Sequence, residues 1–390
     1  MARIIPLFLV TAALANAQQA PGPNVVDLKA SDGTLLKATY FPAAKPGPGV
    51  LLLHQCNRQR KVWDQLGNQL AAAGISTVTM DLRGFGESGG AARDKLTPVE
   101  AARIEVEKWP GDIDVAFDYL TSQKGVDPDA IGVGGASCGV NNSVQTARRH
   151  PRQVKSMVLL SGPTNGAGRQ FLRQASQLPA LFSYADDDEF RDTLDIVPWL
   201  YAVDSNPGKK FIHYATGGHG ADMFAAHPEL RTAIVDWYVM TLIKTPGHAP
   251  VDKQPPPVSK WAQALNQLEQ PGGVERVAQK VAEARRKDPK AQVFPEGIVN
   301  TMGYEHLQSG DIKGAVAILK LNATAYPQSA NAFDSLSDAY LADGQKELAL
   351  ENANKALELL ATDTKDPEPL RNGIRESARQ KLKQLGKEKQ

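Results

Sequence analysis

The sequence predicts an α/β protein, a mostly parallel sheet with helices on both faces, followed by a second, all-helical domain. Three observations carry this. From residue 47 to about 243, short apolar runs alternate with helix-length segments, the pattern of a parallel sheet covered on both sides. A proline-rich stretch, Thr245-Pro246-Gly247 through Pro255-Pro256-Pro257, then interrupts the alternation, as a stiff linker does. Beyond it every segment reads as helix, and Leu307, Gly310 and Ala315 recur 34 residues on as Leu341, Gly344 and Ala349.

Taken in order, Val25–Leu28 and Leu35–Tyr40 flank the turn Ser31-Asp32-Gly33 as two strands. Val50-Leu51-Leu52-Leu53-His54 is a continuous apolar run, as buried parallel strands are. Val62–Ala73 is a helix closed by Gly74, and Ile75–Met80 the next strand, ending at Asp81. Glu100–Gln123 is largely helical, with Pro110 expected to break it. Strands follow at Ala130–Gly134, Val154–Leu160, Leu178–Ala185 and Lys209–Tyr214, alternating with helices at Asn141–His150, Arg191–Ala202 and Pro228–Leu242. Further helices are expected at Trp261–Leu268, Val274–Arg286 and Leu370–Leu385.

The first 17 residues read as a removable secretory signal: Arg3, an apolar run from Ile4 to about Ala15, and the A-x-A site Ala15-Asn16-Ala17. The run is too short to span a bilayer. The expected organisation is a signal peptide over 1–17 and a sheet domain over 24–245. A linker over 246–257 and a helical domain over 258–390 complete it. Secretion or export to a bacterial periplasm is the expectation. A net charge of +1 in 390 residues gives no electrostatic reason to expect nucleic acid as a partner. No Cys/His spacing suits a metal, and no cofactor is called for.

The most informative stretch is Gly135-Ala136-Ser137-Cys138-Gly139, a G-x-S-x-G between a strand and a helix. Such a turn is so tight that the flanking positions must lack side chains, and it presents the serine hydroxyl above the sheet. A dinucleotide fingerprint is excluded, because the third glycine position of Gly132-x-Gly134 is Ser137 and no acidic residue closes a second strand. A serine needs a base, and the base needs an orienting carboxylate, here expected downstream in the order Ser, Asp, His. Asp188, in the run Asp186-Asp187-Asp188-Glu189, is the expected acid, with Asp186 the alternative within the run. His219, in Gly217-Gly218-His219-Gly220, is the expected base. Two backbone N–H groups would bind an oxyanion. Cys138 supplies one and Cys56 the other, with Gln55 the alternative at that position. Cys56 and Cys138 are the chain's two cysteines, and their convergence on one site predicts a disulfide bracing it, with two free buried thiols the alternative.

Four segments carry a resemblance to a known family: His54-Gln55-Cys56, Asp81-Leu82-Arg83-Gly84-Phe85-Gly86-Glu87-Ser88, the turn around Ser137, and Gly218-His219-Gly220. Residues 25–243 resemble the α/β-hydrolase superfamily, most of all its dienelactone-hydrolase-like serine esterases. The residues after 258 resemble a tetratricopeptide-like helical domain. Two departures stand out. The family commonly has glycine where this chain has Gln55, which bears on the oxyanion donor. Dienelactone hydrolases proper use a cysteine nucleophile, but Cys138 is flanked at two residues by Ala136 and Val140, so Ser137 keeps that role.

The resemblance implies a secreted serine hydrolase that cleaves a small-molecule carboxylic ester through an acyl-Ser137 intermediate. A peptidase or amidase using the same triad is the alternative. So is a non-catalytic domain that presents the helices to a protein partner or to a second copy of the chain. Only 161–177 is available for an insertion between two late strands, too short for a large cap. The segment Gly89–Trp109 is the other place for cover over the site.

Overall fold

The computed structural model describes residues 21–251, 259–364 and 366–386. The expected signal peptide and residues 252–257 of the expected linker lie outside these. Eight strands form one sheet: β1 (Asn24–Lys29), β2 (Leu35–Phe41), β3 (Gly47–Leu53), β4 (Ser76–Met80), β5 (Val126–Ala136), β6 (Val154–Leu160), β7 (Ala180–Ala185) and β8 (Lys210–Tyr214). Their spatial order is β1-β2-β4-β3-β5-β6-β7-β8. The β1/β2 and β2/β4 pairs are antiparallel, and every later pair is parallel.

The parallel strands are apolar along their length because both faces are covered. Val50 to Leu53 are fully buried and feed two separate cores. Leu51 and Leu53 join Ile113, Phe117, Val140, Val144 and Leu172 on one side. Val50 and Leu52 join Trp63, Leu66, Ile234 and Tyr238 on the other. Alternation along a single strand thus assigns neighbours to opposite layers.

Some boundaries differ from expectation for local reasons. Pro110 falls in the first turn of the helix Trp109–Ser122, after a separate helix Pro98–Glu107. The expected break is present, at Lys108, and the proline opens the second helix, where its missing N–H costs nothing. Thr97 closes a capping box with Glu100 at the head of the preceding helix. The helix expected from Asn141 begins at Cys138, and the connection 161–177 carries the short helix Gly166–Gln174. The last helix of the sheet domain, Glu229–Tyr238, runs on into a π-helical turn over Val239–Lys244.

Among the described residues after 258, seven helices follow: Ala262–Leu268, Gly273–Lys287, Glu296–Gln308, Ile312–Ala325, Ala330–Ala342, Lys346–Leu360 and Glu368–Gln384. Glu296 and Ala330 open equivalent helices, as do Ile312 and Lys346, so two helical hairpins repeat at 34 residues. Gly310 (φ 81°) and Gly344 (φ 75°) end the first helix of each hairpin in the left-handed conformation. The repeats are tied at equivalent positions, Tyr304 donating to Asp338 at 2.7 Å. Lys381 from the last helix lies buried between Asp334 and Asp338, at 2.8 and 2.7 Å.

The helical domain continues the core of one sheet face: Leu265, Val277, Phe294, Ile298 and Met302 belong to the same cluster as Phe182 and Trp199. At the centre of the junction is Arg169, 4% exposed. Its guanidinium meets Glu269 at 2.6 Å and Glu305 at 2.6 Å, donates to Thr164 O at 2.6 Å, and lies over the Trp199 ring. Trp199 in turn donates to Asn266 at 2.8 Å. Removing Arg169 would leave shielded Glu305 without its cation and Glu269 with Arg173 alone. Arg169→Ala should therefore destabilise the protein by about 3–5 kcal/mol, read as a lowered denaturant midpoint. An unshifted midpoint would mean that the Arg169 ion pairs add nothing to the stability of the junction.

Candidate active site

The parallel register brings the C-terminal ends of the strands to one edge of the sheet, where open α/β sheets form their clefts. Leu53 pairs with Gly135, Ala136 with Leu160, Leu160 with Ser183, and Ala185 with Tyr214. The loops that leave these positions carry His54-Gln55-Cys56, Ser137, Asp188 and His219.

Ser137 follows β5 and precedes the helix Cys138–Arg149, with φ 53° and ψ −121°. A non-glycine residue there costs on the order of 1–3 kcal/mol and persists only when its surroundings impose it. They do. A methyl on Gly135 would sit 2.1 Å from Gly139 O, and one on Gly139 would sit 2.3 Å from Leu53 O. A methyl on Gly162, just after β6, would sit 2.3 Å from Ser137 O. Both glycines of the motif are therefore required by close backbone approach, and the turn is wedged between β3 and the end of β6.

The acidic run is divided among distinct partners. Asp186 pairs with the ring of His213 at 2.8 Å. Asp187 accepts from the Gly218 N–H at 2.8 Å, and that contact holds its carboxyl below the usual range. Asp188, fully buried, faces His219 Nδ1 at 3.0 and 2.8 Å and also accepts from the Phe190 N–H at 2.9 Å. With Nδ1–H directed at a carboxylate, the lone pair of His219 lies on Nε2. That atom is buried and has no hydrogen-bond partner among the described residues. Gly220 packs on Ala136, where a methyl would lie 3.1 Å from the Ala136 Cβ. The histidine loop thus rests against the residue before Ser137. A serine–histidine hydrogen bond is often long in a free enzyme and tightens with substrate.

Cys56 and Cys138 form a disulfide, with Cα atoms 5.9 Å apart. It joins the loop after β3 to the first residue after Ser137, as the sequence predicted, and it removes Cys138 as a rival nucleophile. Neither cysteine's backbone N–H donates within the described residues, so both are available for an oxyanion. Gln55, the alternative donor, is fully buried and turns its side chain to the histidine loop.

The segment Asp81–Ser88 supports this loop without belonging to the cleft chemistry. Asp81 is buried against Arg60 and accepts from the Glu87 N–H at 2.9 Å. Arg83 bridges Asp112 at 2.8 Å and Asp32 at 2.7 Å. Ser88 donates to Asp81 O at 2.5 Å and accepts from the Lys37 N–H at 2.8 Å. These contacts hold Phe85 edge-on to His54, ring centroids 5.1 Å apart. A cavity of about 630 Å³ lies beside Cys56, lined by Arg58, Phe85 and Arg93 among others.

Four more histidines are engaged by neighbouring groups. His54 donates from Nδ1 to Gln55 O at 2.8 Å and accepts the Leu82 N–H on Nε2 at 3.0 Å. Only the neutral ring does both, and burial lowers its pKa accordingly. His150 stacks on Phe117 and meets Asp114, His227 stacks on Tyr214, and His306 meets Asp311. One residue the sequence gave no sign of is Phe190. It is 53% exposed with its ring 4.5 Å from that of His219, and an apolar residue beside an acidic run carries no periodic signal.

Residues 48–198 match the family model described as alpha/beta hydrolase fold. An uncharacterized 31.7 kDa protein from the traX-finO intergenic region of Escherichia coli is 30% identical over 136 residues, 35% of this chain and 44% of that protein. A thiohydrolase, aneE, of Aspergillus aculeatus is 30% identical over 115 residues, 29% of this chain and 33% of that protein. The chain therefore spans less than half the length of these curated relatives. Among solved structures, a dienelactone hydrolase from Anabaena variabilis covers 57% of this chain and 99% of its own, at 17% identity and a TM-score of 0.44. A Pyrococcus furiosus esterase, Pf2001, covers 61% and 100%, at 16% identity and a TM-score of 0.44.

The disulfide closes a loop with a sequence separation of 82, which corresponds to about 4–5 kcal/mol of unfolded-chain entropy. Thiol titration of unfolded, unreduced protein should find no reactive thiol, and a Cys56→Ser/Cys138→Ser double variant should lose most of that stability. Two reactive thiols would contradict the pairing.

Proposed function

We propose, from the premise that the sheet domain belongs to the α/β-hydrolase superfamily, that this protein is a serine hydrolase acting on carboxylic esters. The observation that carries the reading is the buried His219–Asp188 pair, whose free Nε2 belongs to the loop packed against the residue before Ser137.

In this reading His219 Nε2 takes the proton of Ser137 Oγ as the oxygen attacks the ester carbonyl. The carbonyl oxygen becomes an oxyanion bound by the N–H groups of Cys138 and Cys56. Asp188 stabilises the imidazolium and holds its tautomer. Collapse of the adduct breaks the bond to the alcohol, which leaves with the proton from His219. Water, deprotonated by the same nitrogen, then attacks the acyl-Ser137 ester and restores the serine. No step calls for a cofactor.

The wider assignments rest on sequence more than on the cleft. Export to an oxidising compartment suits the disulfide and the A-x-A site at Ala17. The helical domain reads as tetratricopeptide-like from its 34-residue spacing, and binding of a protein partner or a second copy of the chain is the role that architecture favours. The substrate panel should include thioesters, since the Aspergillus relative is named a thiohydrolase.

A fluorophosphonate probe should label the wild-type protein at Ser137, and esters of graded acyl and alcohol size should reveal turnover. Ser137→Ala and His219→Ala should each lower kcat by about 10⁴–10⁶-fold while the fold is retained. A wild-type protein that is folded, unlabelled and inert on the whole panel would instead favour a non-catalytic domain presenting the helices.

A further inference from the structure

We propose that Gln55 is a positioning residue that sets the histidine loop against the oxyanion loop; this rests on the reading of Ser137, Asp188 and His219 as a catalytic triad. Gln55 is fully buried, and both ends of its amide are engaged by one short loop. Nε2 donates to His219 O at 3.2 Å, and Oε1 accepts the Ala221 N–H at 2.7 Å. The two bonds straddle Gly220, which has φ 60° and approaches so closely that a methyl there would lie 2.5 Å from Gln55 Oε1. The fit is mutual: the glycine after the histidine makes room for the glutamine, and the glutamine occupies the space.

The amide chemistry explains why this residue type suits the place. The loop offers one backbone acceptor and one backbone donor, with one residue, Gly220, between them. A primary amide supplies one donor and one acceptor in a single rigid plane. A leucine would leave the Ala221 N–H unpaired, at the cost that attends an orphaned backbone group, and the His219 C=O with the Asp222 N–H alone. A third contact, Nε2 to Asp222 Oδ2 at 3.4 Å, extends the link to Arg58, which holds Asp222 at 2.8 and 2.9 Å.

The consequence for catalysis is geometric. Gln55 directly precedes Cys56, whose N–H is an oxyanion donor and whose sulfur is bonded to Cys138. The backbone of one residue therefore fixes the oxyanion position while its side chain fixes the base. A base displaced by about 1 Å can cost on the order of 100-fold in rate. Loss of the clamp should appear in kcat, with substrate binding little changed.

The test compares wild type, Gln55→Leu and Gln55→Glu. Gln55→Leu should fold, keep KM within about twofold, and lose about 10–100-fold in both kcat and the rate of fluorophosphonate labelling at Ser137. In Gln55→Glu a protonated carboxyl can reproduce both bonds, one oxygen accepting from Ala221 and the O–H donating to His219 O, whereas the carboxylate cannot. Facing position 55 are Asp222, the Arg58 guanidinium paired with it, and the His219 ring, with His54 adjoining in sequence. The ratio of Gln55→Glu to wild-type kcat/KM should therefore rise as pH falls, a trend that a purely structural role would not produce. Labelled wild type with equal kcat and labelling rate in Gln55→Leu would overturn the proposal and leave the triad standing. Should Gln55→Leu fail to fold, a pH-independent Gln55→Glu ratio would overturn it. An unlabelled wild type would overturn the triad reading, and the catalytic role of Gln55 with it.

Discussion

The site depends on three consecutive residues after β3. The strand register sets Leu53 beside Gly135, so the chain must leave the sheet next to the Ser137 turn. His54 then receives the Leu82 N–H, Gln55 grips the backbone of the His219 loop, and Cys56 is bonded to Cys138. Each of the three reaches a different segment, and each uses a different chemistry: an imidazole lone pair, an amide plane and a covalent bond. Loops that lie far apart in sequence are thereby referred to one point, in a region where loops would otherwise move most freely.

The strained serine gains its meaning from that frame. Its positive φ is imposed by close backbone approach, Gly135 against Gly139, Gly139 against β3 and Gly162 against the serine carbonyl. Asp188 is oriented by the same economy of parts: one oxygen meets both His219 and the Phe190 N–H, so the turn that presents Asp188 also places the exposed Phe190 ring beside His219.

Much of this was legible in the sequence, and for physical reasons. Period-2 and continuous apolar runs mark strands whatever the details of packing, so every strand was found to within a few residues at its ends. The glycine spacing around Ser137 marked the turn because only glycine survives such approach. That Asp188 and His219 face each other was foreshadowed by the position of the acid three residues past a strand end and by the glycine-rich loop around the histidine. What was not legible depends on tertiary partners. Pro110 marked the break between two helices, but not its own place in the first turn of the second. Gln55 read as a departure from a familiar pattern, because an amide's partners across more than 160 residues leave no local mark. Phe190 and the Arg169 junction were likewise invisible, each being defined by what a distant segment sets against it.

The helical domain extends the core of one sheet face and is joined by a buried cation between two carboxylates, so it is part of the same folded body as the cleft. The claim at the centre of this account is that the loop after β3 brings the oxyanion donors and the base to one reacting centre. A crystal structure of the protein carrying a covalent phosphonate on Ser137 tests it most directly. The account predicts a phosphonyl oxygen within hydrogen-bonding distance of both the Cys56 and Cys138 N–H groups, with His219 Nε2 directed at the serine oxygen. A phosphonyl oxygen turned away from Cys56, or an imidazole directed elsewhere, would contradict it.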